Sequence, residues 1–478
     1  MKVIRNYLYN VGYQILALLA PLITAPYISR VLGAHGVGVN SYTNSWVTFF
    51  YLVGQMGITL YGNRQIAYVR EDPIKRSKTF WEIEALQSMT ITLAFVTYIT
   101  VVKLFSTTLQ QYFLIQSLWI VAAGLDVSWY FMGLEDFKKT VLRNAAVKLI
   151  TIAFIFIIVK GPGDLWKYIA LLGIAQVGGN LTLWPYLRQS VKWVPMRKWR
   201  PFKHFYPALL LFIPTITTQV YMVVNRLMLG RMSSQAALGQ FDQTDKIVKI
   251  VLAIVTATGT VMLPNVANKF AKGDIKGVRK SLYNSFDFVT AISVPLMFGL
   301  MAISRKFAPW FLGSEFGPAG EIMFIESPVI VIIAWSTVIG NQYLMPVNRV
   351  HEYTASVTAG AISNVIFNFF FIHYWGADGA ALATVFSEFL VTFVQVMCIR
   401  TTIRRRELFK NSWRYFIPGA IMFVIVNRIC SVINMTIANL VIEVMVGVAV
   451  YGIGIYIFRA PILHQGKGLV EALRHRHE

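Results

Sequence analysis

Hydrophobic positions in this chain fall in long unbroken runs, with none of the apolar–polar alternation of a strand. The runs lie near 11–32, 40–62, 83–104, 111–133, 143–160, 166–187, 205–228, 245–265, 284–303, 322–344, 355–374, 378–399, 413–433 and 438–458. Each approaches the roughly 17–25 residues needed to cross a bilayer as a helix. Continuous runs of this kind predict an all-α polytopic membrane protein and argue against a barrel.

The polar links between the runs alternate in charge. One set holds "RQIAYVREDPIKRSK", "EDFKKTVLR", "RQSVKWVPMRKWRPFK", "NKFAKGDIKGVRKS" and "RTTIRRRELFKNSWR". The other holds "GAHGVGVN", "KLFSTTLQ", "KGPGDLWK" and "WGADG". Lys and Arg crowd the first set, which predicts that this side and both termini face the cytoplasm. The alternation also supports about 14 helices, because one missed span would reverse every later link.

Apolar residues make up 56% of the chain and charged residues 14%. A water-soluble domain carries about 25% charge. The net charge of +22 does not point to nucleic acid, because the basic residues are spread over short links between spans. The basic and then apolar start is interrupted by Pro21 and Pro26 and lacks a small-residue cleavage site, so it reads as a retained first span. Cys398 and Cys430 lie in apolar runs and read as small core residues.

An internal repeat organises the runs. "VSWYFMGLEDFKKT" (Val127 to Thr140) matches "GNQYLMPVNRVHEY" (Gly340 to Tyr353) in order of features: apolar run, aromatic, Met, then charge. The segments that follow, Asn144 to Arg188 and Thr354 to Arg400, also resemble each other. Pro21 to Gly33 has a looser counterpart in Pro214 to Gly230, each with Pro, Thr, and an Arg before a Leu-Gly exit. Six spans per repeat return the chain to its starting side, which predicts parallel halves around a central path. The expected division is a first six-helix lobe at 1–190, a cytoplasmic linker at 191–204, a second lobe at 205–400, and two further helices with a tail at 401–478.

Charge inside a span usually lines a cavity or pairs with a partner. Arg30, Arg226, Lys246, Lys249 and Arg428 fall toward the outer ends of their spans, where basic residues are scarce. Snorkelling to headgroups competes with a lumen-facing role for each. Matching places for Arg30 and Arg226, and a shared helix face for Lys246 and Lys249, favour a cationic interior. Such an interior attracts phosphate, which Arg binds bidentately. Asp126 and Glu388 are the deepest acids and are candidate proton or cation sites, with structural pairing as the other reading. Glu326 and Glu443 lie nearer the outside and are expected in the solvated interface. Trp129, Tyr130 and Tyr221 are candidates for stacking on sugar rings, or for filling helix interfaces.

Familiar site motifs are weak. "GAHGVG" (Gly33 to Gly38) follows a membrane helix and lacks the Lys-Ser/Thr of a nucleotide loop, so a tight external turn is expected. The terminal "RHRHE" reads as a solvated tail. No catalytic constellation, metal site or cofactor motif is evident, so the chain does not read as an enzyme.

Several stretches taken together resemble a known family. They are "PYISRVLGAHGVGVNSYTNS", "GITLYGNRQIAYVRED", "DVSWYFMGLEDFKKTVLRNA", "NQYLMPVNRVHEYTASVTAGAISNVIFN" and "GADGAALATVFSE". They resemble the Wzx-type polysaccharide flippases of the multidrug/oligosaccharidyl-lipid/polysaccharide exporter superfamily. The resemblance implies a two-lobed fold with a central cavity in the bacterial plasma membrane. It implies transfer of an undecaprenyl-pyrophosphate-linked oligosaccharide to the outer leaflet by alternating access, for capsule, exopolysaccharide or O-antigen. H+ or Na+ is the implied coupling ion, and a glycan polymerase and glycosyltransferases are implied partners. By position, pyrophosphate contact falls on Arg30 and Arg226. An ion-coupled drug extruder of the same fold and a membrane-embedded glycan polymerase or ligase are the alternatives. The more cationic intramembrane charge favours the flippase over the extruder.

Overall fold

A computed structural model describes residues 2–106, 108–256 and 266–463, with the backbone alone at 2–11, 13, 15, 137–139, 213–215, 217, 218, 220 and 221. The tail "RHRHE" and positions 257–265 of the predicted span 245–265 lie outside the described residues. Every described secondary-structure element is helical. Packing divides the chain into two compact units, Met1–Gly239 and Gln240–Glu478.

The first unit contains α1 (Lys2–Gln55), α2 (Ile58–Val69), α3 (Pro73–Phe105), α4 (Gln110–Gln116), α5 (Leu118–Gly124), α6 (Ser128–Gly133), α7 (Phe137–Ile158), α8 (Leu165–Leu181), α9 (Trp184–Leu187) and α10 (Phe205–Met232). The boundary between units falls inside α11 (Gln235–Thr256). The main helices of the second unit are Ile275–Leu312, Ala319–Glu326, Val329–Ile339, Val350–Cys398, Trp413–Val432 and Ile437–Ile457.

Among the described residues, 9 helical segments are long and apolar enough to cross a membrane. Two of them, Leu16–Val69 and Val350–Thr401, each contain two of the spans read from sequence. The spans predicted at 166–187, 205–228 and 245–265 correspond to α8, α10 and α11. Of these, α8 has only 17 residues, and α11 carries Asp242, Asp245, Lys246 and Lys249. Among the described residues, each of the fourteen apolar runs therefore falls on helix.

Two glycines make the breaks inside the longest helices. Gly33 has φ 70° and ψ 174°, and helix resumes at Ala34. Gly376 has φ 54° and ψ −123° inside Val350–Cys398. Positive φ at these points is accessible to glycine at little steric cost. The expected turn over Gly33 to Gly38 thus narrows to one residue. Pro21 and Pro26 stay within helix, so α1 breaks at Gly33 and not at its prolines.

The repeat is visible in the backbone. Glu135 and Asn348 stand at the same position in the two matched segments, and both are left-handed, with φ 58° and 61°. The amide of Asp136 donates to the Phe131 carbonyl at 2.9 Å, and that of Arg349 to Leu344 at 2.9 Å. The Glu135 amide donates to Met132 at 3.0 Å, and the Asn348 amide to Met345 at 3.3 Å. Both are helix exits of the Schellman type, which satisfy carbonyls that the helix end leaves unpaired. The repeated charge after Met is therefore a repeated C-cap.

Helix α10 packs on α1 and α2 within the first unit. Small residues permit this. A Cβ on Gly230 of α10 would meet the Tyr42 ring at 2.5 Å, and the start of α11 closes on α1 in the same way, where a Cβ on Gly239 would meet the Ala34 carbonyl oxygen at 2.0 Å.

The linker is strapped to the start of α3. Asp72 caps that helix, its Oδ1 accepting from the amides of Ile74 and Lys75 at 3.0 Å each. Glu82, fully buried, accepts from Lys203 Nζ at 2.5 Å, from the Arg200 amide at 3.0 Å and from His204 Nε2 at 3.2 Å. His204 Nδ1 lies 2.7 Å from the Tyr61 hydroxyl. Burial pushes the His204 imidazole below its ordinary value. A neutral ring suits both neighbours, with Nε2–H donating to Glu82 and Nδ1 accepting from Tyr61. Trp81 stacks on Trp199 with ring centroids 5.7 Å apart and donates from Nε1 to the Lys192 carbonyl at 3.1 Å.

Candidate functional site

The polar residues of the spans occupy different environments. Arg30 is exposed on α1, just before the break at Gly33. Arg226 is half-buried on α10, one turn before Gly230, which packs on Tyr42 in the segment following Gly33. The two arginines therefore lie toward the same end of the first unit.

Lys246 and Lys249 are not isolated cations. Lys246 pairs with Asp242 at 2.6 Å, and Lys249 with Asp245 at 2.8 Å, each pair spanning one helical turn. Both aspartates are buried, within a run Asp242, Gln243, Thr244, Asp245 that is buried throughout. This corrects the expectation of a shared cationic face: the strip carries compensated charge.

Arg428 shares its face of Trp413–Val432 with the exposed apolar side chains Ile421, Val424, Ile425 and Val432. An arginine on such a face near a helix end reaches for headgroups. That exposed, apolar setting suits snorkelling, the other reading given above for this residue.

Asp126 is half-buried, with Oδ1 accepting from the Ser128 amide at 2.9 Å. Glu84, 4% exposed on α3, interacts electrostatically with it, and Glu84 Oε2 has no hydrogen-bond partner among the described residues. Gln87 ties this region together. Its Nε2 donates to the carbonyls of Ala123 at 2.8 Å and Asp126 at 3.0 Å, while Oε1 accepts from Trp129 Nε1 at 3.1 Å. Glu388 is half-buried and interacts with Tyr353 on the same helix. Glu326 and Glu443, expected in the solvated interface, are each 1% exposed. Glu443 lies on the inward face of its helix with Gly447 and Tyr451, beside Cys430 and Lys306.

Trp129 and Tyr130 are both 0% exposed. Trp129 stacks on Phe80 at a centroid distance of 5.4 Å, and a Cβ on Gly62 would meet its ring at 2.6 Å. Sugar stacking is thereby corrected to core packing for these two rings, which have no free face. The side chain of Tyr221 lies outside the described residues.

Sequence reasoning overlooked Glu82, Glu84, Asp242, Asp245 and a polar group between α1 and α4. There Gln116 Nε2 donates to Thr43 Oγ1 at 3.2 Å and Asn40 Oδ1 at 3.3 Å, and Asn44 donates to Gln116 Oε1 at 3.4 Å. Asp242 and Asp245 were legible as i, i+4 partners of the two lysines. Among the described residues, no group of three or more His, Cys, Asp or Glu side chains has the arrangement of a metal site.

Known proteins share this architecture. The "Putative O-antigen transporter" of Shigella dysenteriae is 23% identical over 396 residues, covering 80% of this chain and 96% of its own. The protein of the same description from Escherichia coli (strain K12) is 24% identical over 412 residues, covering 83% and 96%. A solved structure of the lipid II flippase MurJ, in an inward closed conformation, superposes with a TM-score of 0.78 at 15% identity, covering 96% of this chain and 100% of that one. An inward-facing multidrug transporter of the MATE family gives a TM-score of 0.58 at 12% identity, covering 82% and 96%. These matches describe a multi-pass membrane transporter, not a catalyst of a chemical reaction. The profile of the family described as polysaccharide biosynthesis protein matches residues 3–270, and the chain belongs to that family.

Proposed function

We propose that this protein moves an undecaprenyl-pyrophosphate-linked oligosaccharide from the cytoplasmic to the outer leaflet by alternating access. A sugar head and a pyrophosphate must pass a hydrocarbon region about 30 Å thick. Bare hydrocarbon opposes that passage by many kcal/mol, so the head requires a polar path while the polyprenyl tail stays in lipid. The observation that carries the reading is the placement of Arg30 and Arg226 toward one end of the first unit, at matching points of a repeat, in a chain of the polysaccharide biosynthesis family. Guanidinium groups there suit a pyrophosphate through paired charge-assisted hydrogen bonds. Asp126 and Glu388 are the proposed coupling sites for H+ or Na+, with Glu84 adjoining the first. Glycosyltransferases supply such a substrate and a polymerase consumes it.

Deleting the gene tests the reading. Lipid-linked oligosaccharide is expected to accumulate on the inner leaflet while surface polysaccharide is lost. Unchanged surface polysaccharide, in a strain with no second transporter of this family, would refute it.

A further inference from the structure

The membrane-spanning stretch Gln110–Gly133 is interrupted between α5 and α6, at Leu125, Asp126 and Val127. Transporters use such breaks to bind Na+, because unwound backbone leaves carbonyl oxygens free to replace the water around the ion. Here those oxygens are already engaged. Asn180 Nδ2 donates to the Ala122 carbonyl at 2.6 Å, and Trp184 Nε1 to that of Leu125 at 3.0 Å. Gln87 Nε2 covers the carbonyls of Ala123 and Asp126 at 2.8 and 3.0 Å. The Tyr130 amide takes the Val127 carbonyl at 3.1 Å. Each oxygen keeps a second lone pair, but the N–H beside it turns positive charge toward an arriving cation. Among the described residues no third His, Cys, Asp or Glu joins Asp126 and Glu84 in a metal-like group.

The two acids suit a proton instead. Glu84 is 4% exposed on α3, and its Oε2 has no hydrogen-bond partner among the described residues. It stands three positions before Gln87, on the face of α3 that meets the Ala123–Asp126 segment. Asp126 is the charged group that acts on it. Basic groups of α2, of the start of α3 and of the linker are engaged elsewhere. Lys78, Lys203 and His204 lie on Glu82, and Arg64 lies over the Tyr61 ring at 6.0 Å. With both acids ionised, two negative charges would face each other and one would stand buried without a donor. A proton removes one of those charges, gives the pair a donor, and needs no coordination shell. Asp126 is half-buried where Glu84 is buried, so exchange with water passes through Asp126.

We propose that Glu84 and Asp126 hold one exchangeable proton between them, and that the ion coupled at this site is H+ and not Na+. The proposal rests on the flippase reading, narrows its coupling ion and adds Glu84 as a carrier. Loading adds H+ to a carboxylate oxygen to give a carboxyl group, and unloading is the reverse, with no other bond changed.

The test uses the purified full-length protein in sealed vesicles that contain lipid-linked oligosaccharide, with the membrane potential clamped by valinomycin and equal K+ on both sides. A short pulse of an impermeant oxidant of sugar diols reads the outer-leaflet share at steady state. With one proton exchanged per lipid, each pH unit of gradient is expected to shift the leaflet ratio by up to about tenfold. A Na+ gradient at equal pH is expected to leave the ratio unchanged. Glu84→Gln, close in shape and fixed in the neutral form, is expected to exchange lipid between leaflets and lose the response to pH, and Asp126→Asn to do the same. Melting temperature and elution profile are measured for both variants. If Glu84→Gln misfolds or stops exchanging lipid, Asp126→Asn and the two wild-type gradients decide the matter. A wild-type ratio that follows Na+, or follows neither gradient, would overturn the proposal, as would variants that follow pH like wild type. Each of these results leaves the flippase reading standing, because lipid still changes leaflets. An inner-leaflet share that never becomes exposed with folded wild-type protein would remove the flippase reading, and this proposal with it.

Discussion

Arg226→Ala lowers surface polysaccharide by roughly ten- to a hundredfold at unchanged protein level in the membrane, and Arg30→Ala does the same. Each substitution removes a proposed charge-assisted contact to the pyrophosphate, and contacts of that kind are worth about 1.5–3 kcal/mol. The loss falls on passage of the headgroup, so lipid-linked oligosaccharide builds up behind the block. Arg226→Lys retains the charge without the planar fork and therefore falls between wild type and alanine. Quantitative immunoblotting of membranes beside a polysaccharide assay separates lost transport from lost protein. Full polysaccharide output from both alanine variants would remove these arginines from the path. Arg428→Ala serves as the internal contrast. Its side chain shares a face with exposed Val424, Ile425 and Val432, so output is expected to stay near wild type.

Trp129→Ala is expected to abolish accumulation of folded protein. Trp129 is 0% exposed in a cluster with Ile58, Phe80, Tyr130 and Phe131. Truncating a buried tryptophan costs about 3–5 kcal/mol, a large share of an ordinary stability of about 5–15 kcal/mol. The change also strips Gln87 Oε1 of its indole donor, and Gln87 holds two carbonyls of the α5–α6 segment. Trp129→Phe keeps most of the volume and is expected to lose less. Gly62→Ala attacks the same contact from the other side, since its Cβ would press on the indole at 2.6 Å. Fluorescence-detected size-exclusion chromatography across a temperature series ranks the three. A Trp129→Ala protein with wild-type yield and melting temperature would show that the cluster does not hold the unit together.

Much of the fold was legible because a bilayer asks for long apolar segments, and among the described residues each of the fourteen runs falls on helix. The repeat was legible in "VSWYFMGLEDFKKT" and "GNQYLMPVNRVHEY", and its physical content proved to be a shared left-handed cap at Glu135 and Asn348. The direction of each helix face was not legible. In lipid both the packed and the outward surfaces are apolar, so periodicity does not distinguish them. That is why Arg428 read like Arg226, and why Trp129 read as an available ring. It is also why Glu326 and Glu443 read as interfacial when they are packed inside. Charge compensation of Lys246 and Lys249 was within reach, because Asp242 and Asp245 precede them by one turn.

Movement of the headgroup between leaflets is the central claim, and vesicles measure it directly. Lipid-linked oligosaccharide is placed in both leaflets of sealed vesicles, and an impermeant oxidant of sugar diols is added outside. Vesicles without protein expose only the outer-leaflet share. Vesicles holding the wild-type protein are expected to expose the inner share as well, at a rate that falls in the Arg30→Ala, Arg226→Ala double variant. An inner-leaflet share that stays protected with the folded wild-type protein present, across an imposed ion gradient of either direction, would contradict the account.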